Sequence, residues 1–208
     1  SNHTLMMVLN SAKKFNQLEA NVKMGRWGDF AIAKPVHAIR NQTLGLLGCG
    51  RIARCLAVKA QAFGMKVIAY DIYQNPDLDF VEYVDFDTLL ANSDLISLHC
   101  PLTEENYHLI NQDTIRKMKD EVILVNTSRG ALIKTDDLIA GIRSRKFFGV
   151  GLDVYEEETN NVFENREDDF LEHSTTARLL SFPNVIVTSH QGFLTEEALA
   201  AISRTTLQ

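Results

Sequence analysis

Seven short runs of mostly apolar residues, each separated from the next by a longer stretch, constrain this chain more than any other feature. The runs are Thr43 to Leu47, Lys66 to Tyr70, Glu82 to Val84, Asp94 to His99, Val122 to Asn126, Phe148 to Val154 and Val185 to Thr188. Most lack polar alternation, so they predict strands covered on both faces. Helical patterns fill the gaps. Arg51 to Phe63 places Ile52, Leu56, Ala60 and Phe63 on one face with Gly64 as exit, and Thr88 to Ala91, Gln112 to Met118 and Asp136 to Arg145 behind a Thr135 cap follow. Repeated β-α-β order predicts an α/β fold built on a doubly wound parallel sheet with helices on both faces.

Outside this repeat, residues 1 to 27 read as one long amphipathic helix: Leu5, Val8, Ala12, Phe15, Leu18 and Val22 recur at steps of three and four, and Lys13, Lys14, Gln17 and Glu19 take the other side. Residues 28 to 42, with Pro35, read as a connector, and 157 to 176 as an acidic, Asn-containing surface insertion. Residues 195 to 208 read as a C-terminal helix carrying Ala198, Leu199 and Ile202 without an exit signal. The start Ser1-Asn2-His3 lacks an initiator Met and a signal sequence, so both ends are expected to be cut from something longer.

Composition narrows the partners. With 21 Lys and Arg against 27 Asp and Glu the net charge is −6, which leaves no basic surplus for a phosphate backbone, so nucleic acid and anionic membranes are excluded as expected partners. No apolar run approaches the ~18 residues of a membrane span. Cys49, Cys55 and Cys100 are odd in number and show no CxxC pairing, so neither disulfides nor a metal site is expected; each reads as a small buried filler, and a reducing cytoplasm is the default.

The first chemical motif is Gly48-Cys49-Gly50-Arg51-Ile52-Ala53, between a strand ending at Leu47 and the helix opening at Arg51. A pyrophosphate needs backbone N–H groups pointing at it, no side chain in the way, and the positive end of a helix dipole behind them. Gly48 makes the turn, Gly50 permits close approach, and Ala53 sits where helix and strand meet. Asp71 ends the next strand, near the ~20-residue offset at which a carboxylate meets the adenosine ribose hydroxyls. That carboxylate would repel a 2′-phosphate, which favours NAD over NADP. Taken singly, Asp71 fits a cap or turn residue as well. The combination predicts a Rossmann-type domain over residues 43 to 194.

Later strand ends carry the second set: His99-Cys100-Pro101, Asn126-Thr127-Ser128-Arg129-Gly130, Asp153 and Ser189-His190-Gln191. A parallel sheet gathers all of them on one edge. Arg129 suits a bidentate pair with a carboxylate, or a plain surface salt bridge. His190 suits proton exchange near neutral pH if a carboxylate such as Glu158 steadies it, or a structural hydrogen bond. Glu156, Glu157 and Glu158 otherwise read as a solvated charge run.

Three stretches, Val125-Asn126-Thr127-Ser128-Arg129-Gly130-Ala131-Leu132, Gly151-Leu152-Asp153-Val154-Tyr155-Glu156-Glu157-Glu158 and Val187-Thr188-Ser189-His190-Gln191-Gly192-Phe193, together resemble the D-isomer-specific 2-hydroxyacid dehydrogenases, with the fermentative D-lactate dehydrogenases the nearest group. The resemblance implies Arg129 as the residue that binds the substrate carboxylate and polarises the carbonyl, His190 as the acid/base and Glu158 as its partner. It also implies Arg51 and Ile52 at the pyrophosphate loop, Asp71 at the ribose, and Cys100, Pro101, Asn106, Thr127, Ser128, Arg129 and Asp153 as the remaining cofactor contacts. Ala53 and Gly192 depart from the commoner Gly and Ala of the family. The implied reaction reduces a 2-keto acid, pyruvate first, to a D-2-hydroxy acid with NADH as hydride source. The resemblance implies a second, substrate-covering domain, most of which is expected to lie outside these residues, and a long N-terminal helix that contributes to a twofold contact, so a homodimer is expected. A module that senses NAD(H) or scaffolds partners without turnover is the alternative of a different class.

Overall fold

The computed structural model describes residues 1–27, 36, 38–76, 78–156 and 175–206. Two helices, α1 (Asn2–Lys13) and α2 (Phe15–Lys23), lead into the repeat β1 (Thr43–Leu47), α3 (Arg51–Ala62), β2 (Lys66–Tyr70), β3 (Glu82–Tyr83), α4 (Phe86–Asn92), β4 (Leu95–Leu98), α5 (Gln112–Lys117) and β5 (Val122–Asn126). After it come a 3-10 turn (Gly130–Leu132), α6 (Thr135–Arg143), β6 (Phe147–Leu152), α7 (Thr175–Leu180), β7 (Val185–Val187) and α8 (Glu196–Thr206). The seven strands form one sheet in the order β3-β2-β1-β4-β5-β6-β7, and every pairing is parallel.

Each face of the sheet is covered. Leu44, Leu46, Leu95, Ile123 and Val125 face one apolar cluster with Met7, Val8 and Ala12 of α1 and Ala53, Leu56, Ala57 and Ala60 of α3. Leu47, Ile96, Leu98, Leu124 and Val150 face the other, filled by Leu89 and Leu90 of α4, Leu138, Ile139 and Ile142 of α6, and Leu179 of α7. With both faces buried, β4, β5 and β6 are buried at every position, which is why their sequences run apolar without alternation. Helix α1 lies so close to β6 that a Cβ on Gly149 would stand 3.0 Å from Cβ of Ser11. The glycines of that strand are what let the helix down onto the sheet.

Four sequence expectations shift. The single helix over 1–27 is broken at Lys14, which adopts φ 52, ψ 40. The apolar spacing runs on through Lys14, but the sheet does not. The Lys14 ammonium sits 4.0 Å from the ring centroid of Phe148 at the start of β6, and α2, beyond that point, buries no residue. In α3 the buried stripe is Ala53, Leu56, Ala57 and Ala60, while Ile52 and Phe63 are exposed. Thr135 is not the cap of α6 but its first residue, with Lys134 before it. Of the three cysteines only Cys49 is buried; Cys55 is exposed and Cys100 half-buried. Most of the 28–42 connector, including Pro35, and residues 157–174 of the acidic insertion lie outside the described residues, and Thr175 and Thr176 open α7.

Leu124, 0% exposed in the inner strand β5, is the most direct handle on this core. Leu124→Ala is expected to lower unfolding free energy by about 2–5 kcal/mol in urea titration, and Val58→Ala, on the exposed side of α3, to change it by no more than about 0.5 kcal/mol. Equal urea midpoints for the two variants would contradict the placement of the core.

Candidate functional site

The strand order reverses between β1 and β4, so the ends of these two strands open a crevice. Gly48 lines it with φ 88, and a Cβ there would stand 2.6 Å from the backbone nitrogen of Cys100. Only glycine meets both conditions. Its N–H donates to the carbonyl of Tyr70 at 2.9 Å. Gly50 then opens α3, whose twelve-residue length carries a dipole and whose first turn has no side-chain cap. The space where a Gly50 side chain would lie is empty, and the uncapped first turn of such a helix suits an anion.

Asp71 closes this loop from the end of β2. One carboxylate oxygen accepts the Cys49 N–H at 2.6 Å and the other the Tyr73 N–H at 2.8 Å. Asp71 is therefore a turn residue, and the same carboxylate also ties β2 to the glycine loop. Ile72 and Tyr73, which follow it in the chain, and Ile52 near the start of α3 are all exposed. Ile72 and Tyr73 escaped the sequence reading because nothing in their spacing separates a strand overrun from a ligand wall.

Across the crevice, Ser128 Oγ donates to the Cys100 carbonyl at 2.6 Å, and Asn106 folds the following loop by donating to the Pro101 carbonyl at 2.7 Å. Burial raises the Cys100 thiol to about 11, which keeps it protonated, and lowers His99 to about 4, which keeps it neutral beside Ser97 Oγ. Thr127 Oγ1 lies 2.9 Å from Thr4 Oγ1 of α1. Asn126, fully buried, accepts the Ser128 N–H at 3.0 Å and donates to the Arg129 carbonyl at 2.8 Å. Its side chain thus shapes the turn that exposes Arg129, a role the sequence hid because Asn126 ends an ordinary strand. Among the described residues the Arg129 guanidinium bonds the adjacent Ser128 carbonyl, at 2.7 Å, and pairs with no carboxylate.

At the ends of β6 and β7, Asp153 organises the next turn. Its carbonyl accepts the His190 N–H at 2.7 Å. Its carboxylate accepts Thr188 Oγ1 at 2.5 Å and the N–H groups of Gln191 and Gly192, each at 2.9 Å. Burial alone would raise the Asp153 pKa, but these three bonds and the nearby His3 outweigh it and hold the group below the ordinary carboxylate range. His190 sits inside the turn at φ 52, half-buried, with its ring edge-on to Phe193 at 6.2 Å. A Cβ on Gly192 would stand 2.9 Å from Asp153 Oδ2, so this departure from the family pattern gives the carboxylate room.

The structure thus puts Gly48, Gly50, Arg51, Ile52, Asp71, Cys100, Pro101, Asn106, Thr127, Ser128, Arg129, Asp153 and His190 along one edge of the sheet. Arg129 follows β5 and His190 follows β7, two strand spacings, about 10 Å, apart. Glu158 lies outside the described residues. Glu156 is no solvated charge: it pairs with His108 Nε2 at 2.5 Å and accepts Thr135 Oγ1 at 3.0 Å at the start of α6.

Residues 5–192 match the family model described as the D-isomer specific 2-hydroxyacid dehydrogenase, NAD binding domain. The chain is 46% identical over 169 residues to a D-lactate dehydrogenase of Escherichia coli K12, a match covering 80% of this chain and 51% of that protein. It is 43% identical to an aromatic 2-oxoacid reductase of Clostridium sporogenes, over 81% of this chain and 52% of the other. Among solved structures it superposes on an Aquifex aeolicus D-lactate dehydrogenase complexed with NAD and lactic acid, with a TM-score of 0.90 and 36% identity, covering 99% of this chain and 62% of that one. The chain spans about half the length of the curated relatives it matches. With the glycine cradle, the open α3 N-terminus and Asp71 all suited to a dinucleotide, the chain belongs to the D-isomer-specific 2-hydroxyacid dehydrogenase family and carries its NAD-binding domain.

Proposed function

We propose that this chain is the cofactor half of an NAD-dependent dehydrogenase that interconverts a 2-keto acid and a D-2-hydroxy acid, with pyruvate and D-lactate as the first pair. The observation that carries the reading is the His190 turn, held at a positive φ by Asp153 on the same sheet edge as the glycine loop and Arg129. Backbone bonds that fix a histidine in a sparsely populated conformation support a function for its imidazole.

In this reading the first turn of α3, with Arg51 beside it, holds the pyrophosphate, and Asp71 takes the adenosine ribose hydroxyls with Ile52, Ile72 and Tyr73 around them. Cys100, Pro101, Asn106, Thr127, Ser128 and Asp153 line the path towards the nicotinamide. NADH, when bound, supplies the hydride. Arg129 grips the substrate carboxylate with its fork of N–H donors and stabilises charge on the carbonyl oxygen. His190 donates the proton to that oxygen, and Glu158 favours the protonated imidazole.

A twofold homodimer through α2 completes the proposal, supported by the exposed Phe15, Leu18 and Val22, with Met24 and Trp27 exposed just beyond them. Location in the cytoplasm is part of the same reading. Among the described residues no helix is long and apolar enough to cross a membrane.

Three measurements test these assignments. In the complete protein, Arg129→Lys is expected to lower kcat/KM for pyruvate by about 10²–10³-fold, because an ammonium cannot reproduce the fork; a change under about threefold would remove Arg129 from the reaction. Asp71→Ser should weaken NADH and strengthen NADPH in fluorescence titrations, bringing the two affinities within about tenfold of each other, whereas an unaltered preference would assign Asp71 to the turn alone. Because the folded Asp153 pKa is lowered, its ionised form stabilises the fold above the ordinary carboxylate pKa of about 4 and this contribution fades as pH falls below it. The stability gap between wild type and Asp153→Asn should therefore be constant from about pH 5 to 7 and shrink below about pH 4, and a gap independent of pH would show the carboxylate uncoupled from folding.

A further inference from the structure

One side chain that reaches Asp153 comes from outside the strand ends. His3, in the first turn of α1, places Nε2 3.0 Å from Thr188 Oγ1 and 3.1 Å from Asp153 Oδ1. Thr188 bonds the same Asp153 oxygen, and a Cβ on Gly192 would lie 3.7 Å from His3 Cδ2. A single imidazole therefore borders the carboxylate, the hydroxyl and the backbone of the turn that carries His190. Its own position is fixed by α1, whose Met7, Val8 and Ala12 are in the core and whose Thr4 bonds Thr127.

Asp153 is 2% exposed, and among the described residues His3 is the only basic side chain within ion-pair distance of it. A carboxylate so far from water holds its orientation only if its lone pairs are matched. The amides of Gln191 and Gly192 approach both oxygens from the turn side, and His3 with Thr188 closes the Oδ1 side from the helix. We propose that His3 is a positioning residue for His190, acting by locking Asp153 and Thr188 in the one arrangement that shapes the turn from Ser189 to Gly192. This rests on the reading of His190 as acid/base. What the position requires is a donor at the reach of Nε2. Glutamine supplies one there, whereas phenylalanine fills the ring's volume and supplies none.

The test compares His3→Phe and His3→Gln in the complete protein. Measurements are kcat and KM for pyruvate and NADH, amide hydrogen exchange at Gln191 and Gly192, and thermal unfolding. For His3→Phe, kcat is expected to fall about tenfold, since small misplacements of an acid/base are costly, while KM for NADH stays within about twofold. The Gln191 and Gly192 amides should exchange about tenfold faster, and exchange in β4 and β5 should be unchanged. Glutamine should restore both kcat and protection. Wild-type exchange and kcat in His3→Phe would overturn the proposal, as would a loss that glutamine does not restore; a fall in thermal stability with protection lost throughout would reduce His3 to a packing residue. Retention of turnover by His190→Ala would instead overturn the acid/base reading, and the exchange data would still decide whether His3 holds the turn.

Discussion

A carboxylate taken out of water has to be matched bond for bond, and the end of β6 is built around one such match. Asp153 serves best with its charge, because an ionised carboxylate accepts more strongly from Thr188, Gln191 and Gly192 and has no proton of its own to place. Burial works against that charge and the bonds work for it, with the bonds winning. The outcome is local rigidity: the chain leaves β7, turns at His190 in a left-handed conformation that an L-residue adopts at some cost, and is held there from both sides.

The parallel sheet explains why the turn has company. In an all-parallel sheet each strand delivers its following loop to the same edge, so residues as far apart in the chain as Gly48 and His190 come to one side of the sheet without any long-range side-chain contact. The reversal of strand order at β1 and β4 opens that crevice, and the helix dipole of α3 points into it. A buried asparagine and a half-buried serine do the finer work. Asn126 shapes its own loop, and Ser128 ties that loop to the neighbouring one at Cys100, so that the guanidinium of Arg129 stands exposed on a short, braced turn.

The strands were legible because full burial erases polar alternation, and the order of runs and helical stretches then leaves few topologies. The glycine loop was legible because its chemistry is backbone chemistry and needs specific residue types. Arg129 and His190 were visible as residues at strand ends, but only the resemblance to a family attached roles to them. What spacing could not reveal was tertiary termination. The heptad-like pattern of residues 1 to 27 is continuous, yet the helix breaks at Lys14 where the sheet ends, since apolar spacing says what a helix can bury and not what lies beneath it. For the same reason Ile52 read as core in α3 and is exposed at the mouth of the site. The hydrogen-bonding roles of His3 and Glu156 were equally hidden, because each depends on a partner more than 40 residues away.

Glu156 shows how the opposite flank of the site is secured by a comparable device. Lys134 offers α6 no side-chain cap, so the first N–H and hydroxyl of that helix, both from Thr135, are satisfied by a carboxylate arriving from beyond β6. The other Glu156 oxygen meets His108, which itself sits at φ 54 and stacks on Tyr107 at 3.9 Å. Burial again opposes the charge, while the bonds from His108 and Thr135 prevail and lower the pKa. Three chain segments, the loop after β4, the start of α6 and the stretch leaving β6, are thereby joined two residues before Glu158. A negative group at a helix N-terminus is favourable on the dipole alone; joined to His108, it also sets where the chain departs towards the segment that the family resemblance makes catalytic. The Arg129 side and the His190 side of the edge thus rest on one rule: a carboxylate leaving β6 is spent on backbone amides, a hydroxyl and a histidine.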